Sequence, residues 1–194
     1  MAKVKICGLR RKEDIDIVNQ LEPDYIGFIL TDGFKRSIND HTAQLLKSKL
    51  KSSIKVVGVF VNDDINRINS LINKGVIDMV QLHGNESAEY CRQISTPIIK
   101  MLNPNTFNKA SDYESCGDYL LFDSGNGTGK TFDWNTIPKT TKPFFLAGGL
   151  NAGNIKQAIK KIKPYAVDMS SSVEIDGIKD YNKTKQIMEI VRYE

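Results

Sequence analysis

Short runs rich in Val, Ile, Leu and Phe recur along the chain, and between them apolar residues return at helical spacing. The runs predict eight strands near Lys3–Cys7, Tyr25–Leu30, Lys55–Phe60, Asp78–Gln81, Ile98–Met101, Tyr119–Asp123, Pro143–Ala147 and Ala166–Met169. Helices are predicted between several of them. Lys12–Leu21 carries Ile15, Ile17, Val18 and Leu21; Ile65–Ile72 carries Ile65, Ile68, Leu71 and Ile72; Ile155–Ile162 carries Ile155, Ala158, Ile159 and Ile162. The segments after the fifth and sixth strands, Thr106–Ser115 and the surroundings of Trp134, read as short or irregular helices.

Strict alternation of strand and helix implies parallel strands joined by crossovers, and the near-continuous apolar runs Ile26–Leu30 and Val56–Phe60 suit a sheet buried on both faces. An open doubly wound sheet can hold many strands, but eight repeats favour closure. Over 194 residues each unit takes about 24, at the economical end for a (β/α)8 barrel. The expectation is therefore an α/β chain forming one (β/α)8 TIM barrel over residues 1–194, near minimal size and without an internal domain boundary.

Composition narrows the class. Apolar residues make up 40% and charged residues 26%, as in a packed globular protein. The net charge is +4 and dispersed, apart from Lys156, Lys160, Lys161 and Lys163, so a dense nucleic-acid stripe is missing. Three cysteines without paired spacing argue against a disulfide framework or structural zinc, and two histidines, His41 and His83, leave metal ligation unsupported. The start, Met-Ala-Lys-Val-Lys-Ile-Cys, has no signal-peptide core, and no apolar stretch is long enough to span a bilayer. A cytoplasmic monomer acting on a small molecule is expected, with no nucleic acid or membrane as partner.

In such a barrel the chemistry gathers at the C-terminal ends of the strands. Gly148-Gly149 after the seventh strand and Ser170-Ser171-Ser172 after the eighth are placed to hold a phosphate, the glycines admitting a close backbone and the serines adding hydroxyls. Ser124–Thr131, S-G-N-G-T-G-K-T, falls one glycine short of a P-loop and reads better as a glycine-rich lid. Cys7 ends the first strand, where a thiol can point into the mouth, although an inert packing role is commoner for a buried cysteine. Cys91 and Cys116 keep that packing role. Asp123 ends an apolar strand and is either a proton donor or a capping aspartate. Arg36 suits a carboxylate, and His83 a supporting hydrogen bond.

Taken in order, Lys5-Ile6-Cys7-Gly8-Leu9, Gly27-Phe28 with Lys35-Arg36-Ser37, Val57–Asn62, Val80–Gly84, Gly127–Trp134, Ala147–Asn151 and Val167–Ser171 resemble the phosphoribosylanthranilate isomerases of tryptophan biosynthesis. The resemblance covers nearly the whole chain, and it implies an Amadori rearrangement with neither cofactor nor metal. By position it implies Cys7 as general base, Asp123 as general acid and Arg36 on the anthranilate carboxylate. Gly148, Gly149, Ser170 and Ser171 would hold the phosphate, Asp168 would orient substrate hydroxyls, and Gln81 and His83 would support the site. Two departures stand out. Ser172 occupies a position where the family has Gly, and the loop Leu30–Arg36 lacks the family's Pro and Ser. The competing readings are a sister barrel using two aspartates, a silent phosphate-binding barrel and a nucleotide-binding regulator.

Overall fold

In the computed structural model of the chain, which describes residues 1–113, 115–125 and 131–193, eight parallel strands close into a barrel in sequence order. They are β1 (Lys3–Cys7), β2 (Tyr25–Ile29), β3 (Lys55–Phe60), β4 (Met79–Leu82), β5 (Ile98–Leu102), β6 (Tyr119–Phe122), β7 (Phe144–Leu146) and β8 (Ala166–Met169). β1 closes the ring against β8, with Lys5 opposite Asp168 and Ile6 opposite Met169. The predicted strands all form. Their ends move by about one residue, which leaves Asp123 and Ala147 just beyond β6 and β7.

Crossovers are made by α1 (Lys12–Leu21), α2 (Asp40–Lys47), α3 (Ile65–Asn73), the single turn α4 (Ala88–Cys91) and α5 (Ile155–Ile162), with α6 (Tyr181–Arg192) last. After β5 and β6 only 3-10 turns appear among the described residues, Phe107–Tyr113 and Trp134–Thr136, as the weak periodicity there predicts. α2 escapes a pattern search because it buries only Ala43 and Leu46; Asn39 starts it by accepting the Thr42 N–H at 2.8 Å. A small antiparallel hairpin, β9 (Glu174–Ile175) with β10 (Ile178–Lys179), follows β8 and is also additional to the predicted set. The glycine-rich reading of Ser124–Thr131 falls mostly on residues 126–130, outside the described residues.

Side-chain alternation builds two cores. Val4, Ile6, Ile26, Phe28, Val56 and Val80 face outward beneath the helices. Tyr25, Val57, Met79, Ile99, Leu121 and Phe145 fill the barrel. At the strand starts Tyr25, Tyr119, Phe145 and Tyr165 stack with ring centroids 5.0–5.7 Å apart, and the Tyr25 and Tyr165 hydroxyls lie 2.8 Å from each other. This aromatic floor closes the N-terminal end, so the polar groups inside the barrel collect toward the opposite mouth. Among the described residues no helix is long and apolar enough to cross a membrane.

Candidate active site

Cys7 is the last residue of β1, nearly buried at 9% exposure, and its sulfur lies against Gly27 of β2. A Cβ on Gly27 would stand 2.6 Å from Sγ, so glycine there makes room for the thiol. One layer below, on the same inward face of β1, Lys5 is fully enclosed. Its Nζ donates to Asp168 Oδ2 at 2.7 Å and acts electrostatically on the Cys7 sulfur above it. Burial favours the neutral amine, but Asp168 and Cys7 outweigh it and raise the Lys5 pKa. For Cys7 the balance runs the other way: burial pushes the thiol up, with Lys5 and Lys179 pulling it down. The start of α1 does not act on the thiol as a free helix N-terminus, because Asp14 accepts the N–H groups of Arg10 and Arg11 at 2.9 and 3.1 Å.

Arg36 reaches the mouth across Gly8, whose φ of +79° and lack of a side chain let the arginine stem pass; a Cβ there would stand 2.5 Å from Arg36 Cδ. The loop that delivers it is closed on itself without the family's Pro and Ser: Ser37 Oγ accepts the Phe34 N–H at 3.1 Å and donates to Thr31 O. The guanidinium is held by Glu174 of β9, Nε and Nη2 donating to its two oxygens at 2.7 and 2.6 Å. Lys179 of β10 donates to the same carboxylate at 2.7 Å and to Ser170 O at 3.0 Å. Burial works against the charge on Glu174, yet Arg36 and Lys179 overcome it and hold its pKa at about 2.

Asp123 sits half-buried just past β6, with Oδ1 accepting the Gly125 N–H at 3.0 Å and the Ser124 hydroxyl at 3.3 Å. It acts electrostatically on both His83 and Asp168, which brings the β4, β6 and β8 ends together. Burial lowers the His83 pKa, so the ring is neutral, and Gln81 Nε2 lies 3.0 Å from its Nδ1. With the amide so oriented, the imidazole carries its proton on Nε2. Behind this loop Glu86 takes the N–H groups of Asn62 and Gly84 and pairs with buried Lys100 at 2.7 Å.

The loops after β7 and β8 have the character of an anion cradle. Gly148 and Gly149 both have positive φ, +80° and +68°, and a Cβ on Gly148 would stand 2.6 Å from the Ser124 nitrogen. Among the described residues, no hydrogen bond occupies the N–H of either glycine. Ser171 is exposed, whereas Ser170 donates its hydroxyl to Cys7 O at 3.0 Å. Ser172 needs no left-handed backbone; it lies in the 3-10 turn Ser171–Val173, its hydroxyl buried without a partner among the described residues.

All ten predicted residues thus lie at or just inside one mouth. Lys5, Glu174 and Lys179 join them and were not predicted as site residues. Lys5 stands on the inward register two residues before Cys7, but nothing in the sequence marks its partner on β8. Nothing in two-residue strands announces the other two. Together they form a nearly buried thiol over an ion pair, a carboxylate across the mouth, a clamped guanidinium and a glycine-serine cradle, a set able to move protons on a phosphorylated anion.

The sequence matches, over residues 4–190, the family described as N-(5′-phosphoribosyl)anthranilate (PRA) isomerase. It is 44% identical to the N-(5′-phosphoribosyl)anthranilate isomerase of Endomicrobium trichonymphae, across 99% of both chains. The phosphoribosyl anthranilate isomerase of Thermotoga maritima superposes with a TM-score of 0.86 at 31% identity, covering 100% of both chains. A phosphoribosyl anthranilate isomerase structure in complex with reduced 1-(o-carboxyphenylamino)-1-deoxyribulose 5-phosphate gives 0.84 at 30%, also over 100% of both chains. With its barrel, its polar mouth and a match that runs almost end to end, the chain belongs to the N-(5′-phosphoribosyl)anthranilate isomerase family.

Proposed function

We propose that this isomerase converts N-(5-phosphoribosyl)anthranilate into 1-(o-carboxyphenylamino)-1-deoxyribulose 5-phosphate by an Amadori rearrangement, with general acid–base catalysis at the barrel mouth. Asp123 gives a proton to the ribose ring oxygen as the ring C1–O bond breaks, leaving an open-chain iminium. The Cys7 thiolate takes the proton from C2, and that electron pair moves toward the iminium nitrogen to form an enolamine. Gain of a proton at C1 and loss of the C2 hydroxyl proton give the ketone. One proton passing from Cys7 to Asp123 through solvent restores the starting state.

The substrate is anchored at both ends in this reading. Arg36 receives the anthranilate carboxylate on the N–H groups that Glu174 does not use. Gly148, Gly149 and Ser171 receive the phosphate, and Ser170 shapes that loop through its bond to Cys7 O. Asp168 Oδ1 and Gln81 Oε1, buried and without partners among the described residues, accept ribose hydroxyls, with His83 held beside them. No step calls for a cofactor or metal. The reading includes a single-domain cytoplasmic monomer acting on a free small molecule, without nucleic acid or membrane.

The supporting observation is the pairing at one mouth of a thiol ending β1 and a carboxylate just past β6, inside a family match over residues 4–190. Its test is the fall of anthranilate fluorescence as phosphoribosylanthranilate is consumed. Cys7→Ala and Asp123→Asn should each lower kcat by at least about 10²-fold, the range for a lost acid or base. Undiminished turnover in either variant would remove that residue's role.

A further inference from the structure

A thiol that must act as a base sits in a place where burial disfavours its anion, and the groups facing it show how the fold answers this. Lys5 approaches from below on β1, paired to Asp168 of β8 at 2.7 Å. Lys179 of β10 and Arg36 of the β2–α2 loop also act electrostatically with Cys7, and both bond to Glu174. From β4 and β6, His83 and Asp123 act on Lys5 and Asp168 rather than bonding the thiol. Three cations and two carboxylates therefore bear on the sulfur most closely, an excess of one positive charge. Of the cations only Lys5 stands on the thiol's own strand, two residues below it, and it pulls the thiol pKa down most.

Lys5 has no other evident task. It is fully enclosed and so cannot meet solvent, and the layer around it is otherwise lined with apolar side chains such as Val57, Ile99 and Leu121. A buried ion pair contributes little net stability compared with apolar residues of the same volume, so packing alone does not account for it. We propose that Lys5, fixed by Asp168, is a positioning residue for the reaction: its ammonium lies beneath the Cys7 thiol on the same inward face of β1 and stabilises the thiolate that takes the C2 proton. The proton released when the thiolate forms leaves through the mouth to solvent, and Lys5 keeps its own throughout. This rests on the reading of Cys7 as the base.

The test reads the thiol directly as well as the turnover. The rate of Cys7 alkylation by iodoacetamide, followed peptide by peptide by mass spectrometry from pH 6 to 10, reports the thiolate fraction without any substrate. Lys5→Met should shift that profile upward by at least about one pH unit, a roughly tenfold slower alkylation at pH 7.5, and lower kcat in parallel with KM nearly unchanged. Because Lys5→Met strands a buried carboxylate, the double variant Lys5→Met/Asp168→Asn serves as the second arm; it should keep the upward shift while restoring folding. An unshifted profile in a folded variant overturns the role of Lys5, while the base reading still stands or falls on Cys7→Ala. A shifted profile with full turnover refutes Cys7 as the base, and the proposal with it.

Discussion

Gly27 shows how narrowly one residue can separate function from stability. Its backbone needs no unusual conformation, since its φ is not positive, and both its neighbours on β2 are ordinary barrel residues. What forbids a side chain is the Cys7 sulfur, 2.6 Å from where a Cβ would stand. Gly27→Ala must therefore move the thiol or the strand, and the thiol at the open mouth is the softer of the two. We expect kcat/KM to fall by about 10²-fold, the scale for a reacting group displaced by about 1 Å. The folding cost should stay near the low end of the ~1–3 kcal/mol typical of overpacking. Steady-state kinetics beside a thermal melt checks this, and a large loss of stability with intact activity would show that the strand moved instead. Cys7 could be singled out from the sequence because strand ends were legible in it, whereas Gly27, in the middle of β2, stands there only as part of a motif. Lys5 could not, because a charged residue on an inward register looks the same as one at an exposed strand start until its partner on β8 is known.

At the scale of elements, the β9–β10 hairpin ties together two loops that the sequence presents as unrelated. Glu174 clamps Arg36, while Lys179 joins Glu174 to Ser170 of the loop after β8, so the two ends proposed to read the substrate's anions share one support. Long apolar strands and periodic helices such as α5 are readable because burial repeats along them; the hairpin has only two residues per strand and no period, and its charges pass for surface ones. Glu174→Gln removes the clamp's charge without its shape. In the proposed reading Arg36 then loses its fixed orientation, and KM should rise about tenfold with kcat changed much less. The same variant carries a pH signature. The carboxyl ionises at about 2 when folded and near 4.5 when unfolded, so its stabilisation is complete above about 4.5 and is lost as the pH falls toward 2. Thermal melts from pH 7 down to 3 should show the wild type converging on Glu174→Gln; a constant gap between them would rule out the ion pair as the source.

Over the whole molecule, near-minimal length has been achieved unevenly. β3 has six residues and is flanked in sequence by true helices, α2 before it and α3 after it, whereas β7 has three. Among the described residues the connections leaving β5 and β6 form 3-10 turns, covering the barrel with Phe107, Ala110, Tyr113, Phe132 and Trp134. Such turns have poorer hydrogen-bond geometry than α-helices, and long runs of them are uncommon. The ring still closes through β7 and β8, and Asp123, Gly148 and Gly149 hang from this thinner side, while Cys7, Lys5 and Gly27 belong to the thicker one. The proposed acid and phosphate cradle are thus carried by the thinner-covered part, expected to open more readily, and the proposed base by the better-covered part. Hydrogen exchange under native conditions should find the amides of Leu120–Phe122 and Phe145–Leu146 opening at least about 2 kcal/mol more easily than those of Val56–Phe60, within a range that spans from near zero to the global stability. Inorganic phosphate, bound in the glycine-serine cradle, should slow exchange on the β6–β7 side and leave β3 unchanged. Equal protection around the ring would mean that closure makes the barrel one cooperative unit despite its uneven cover.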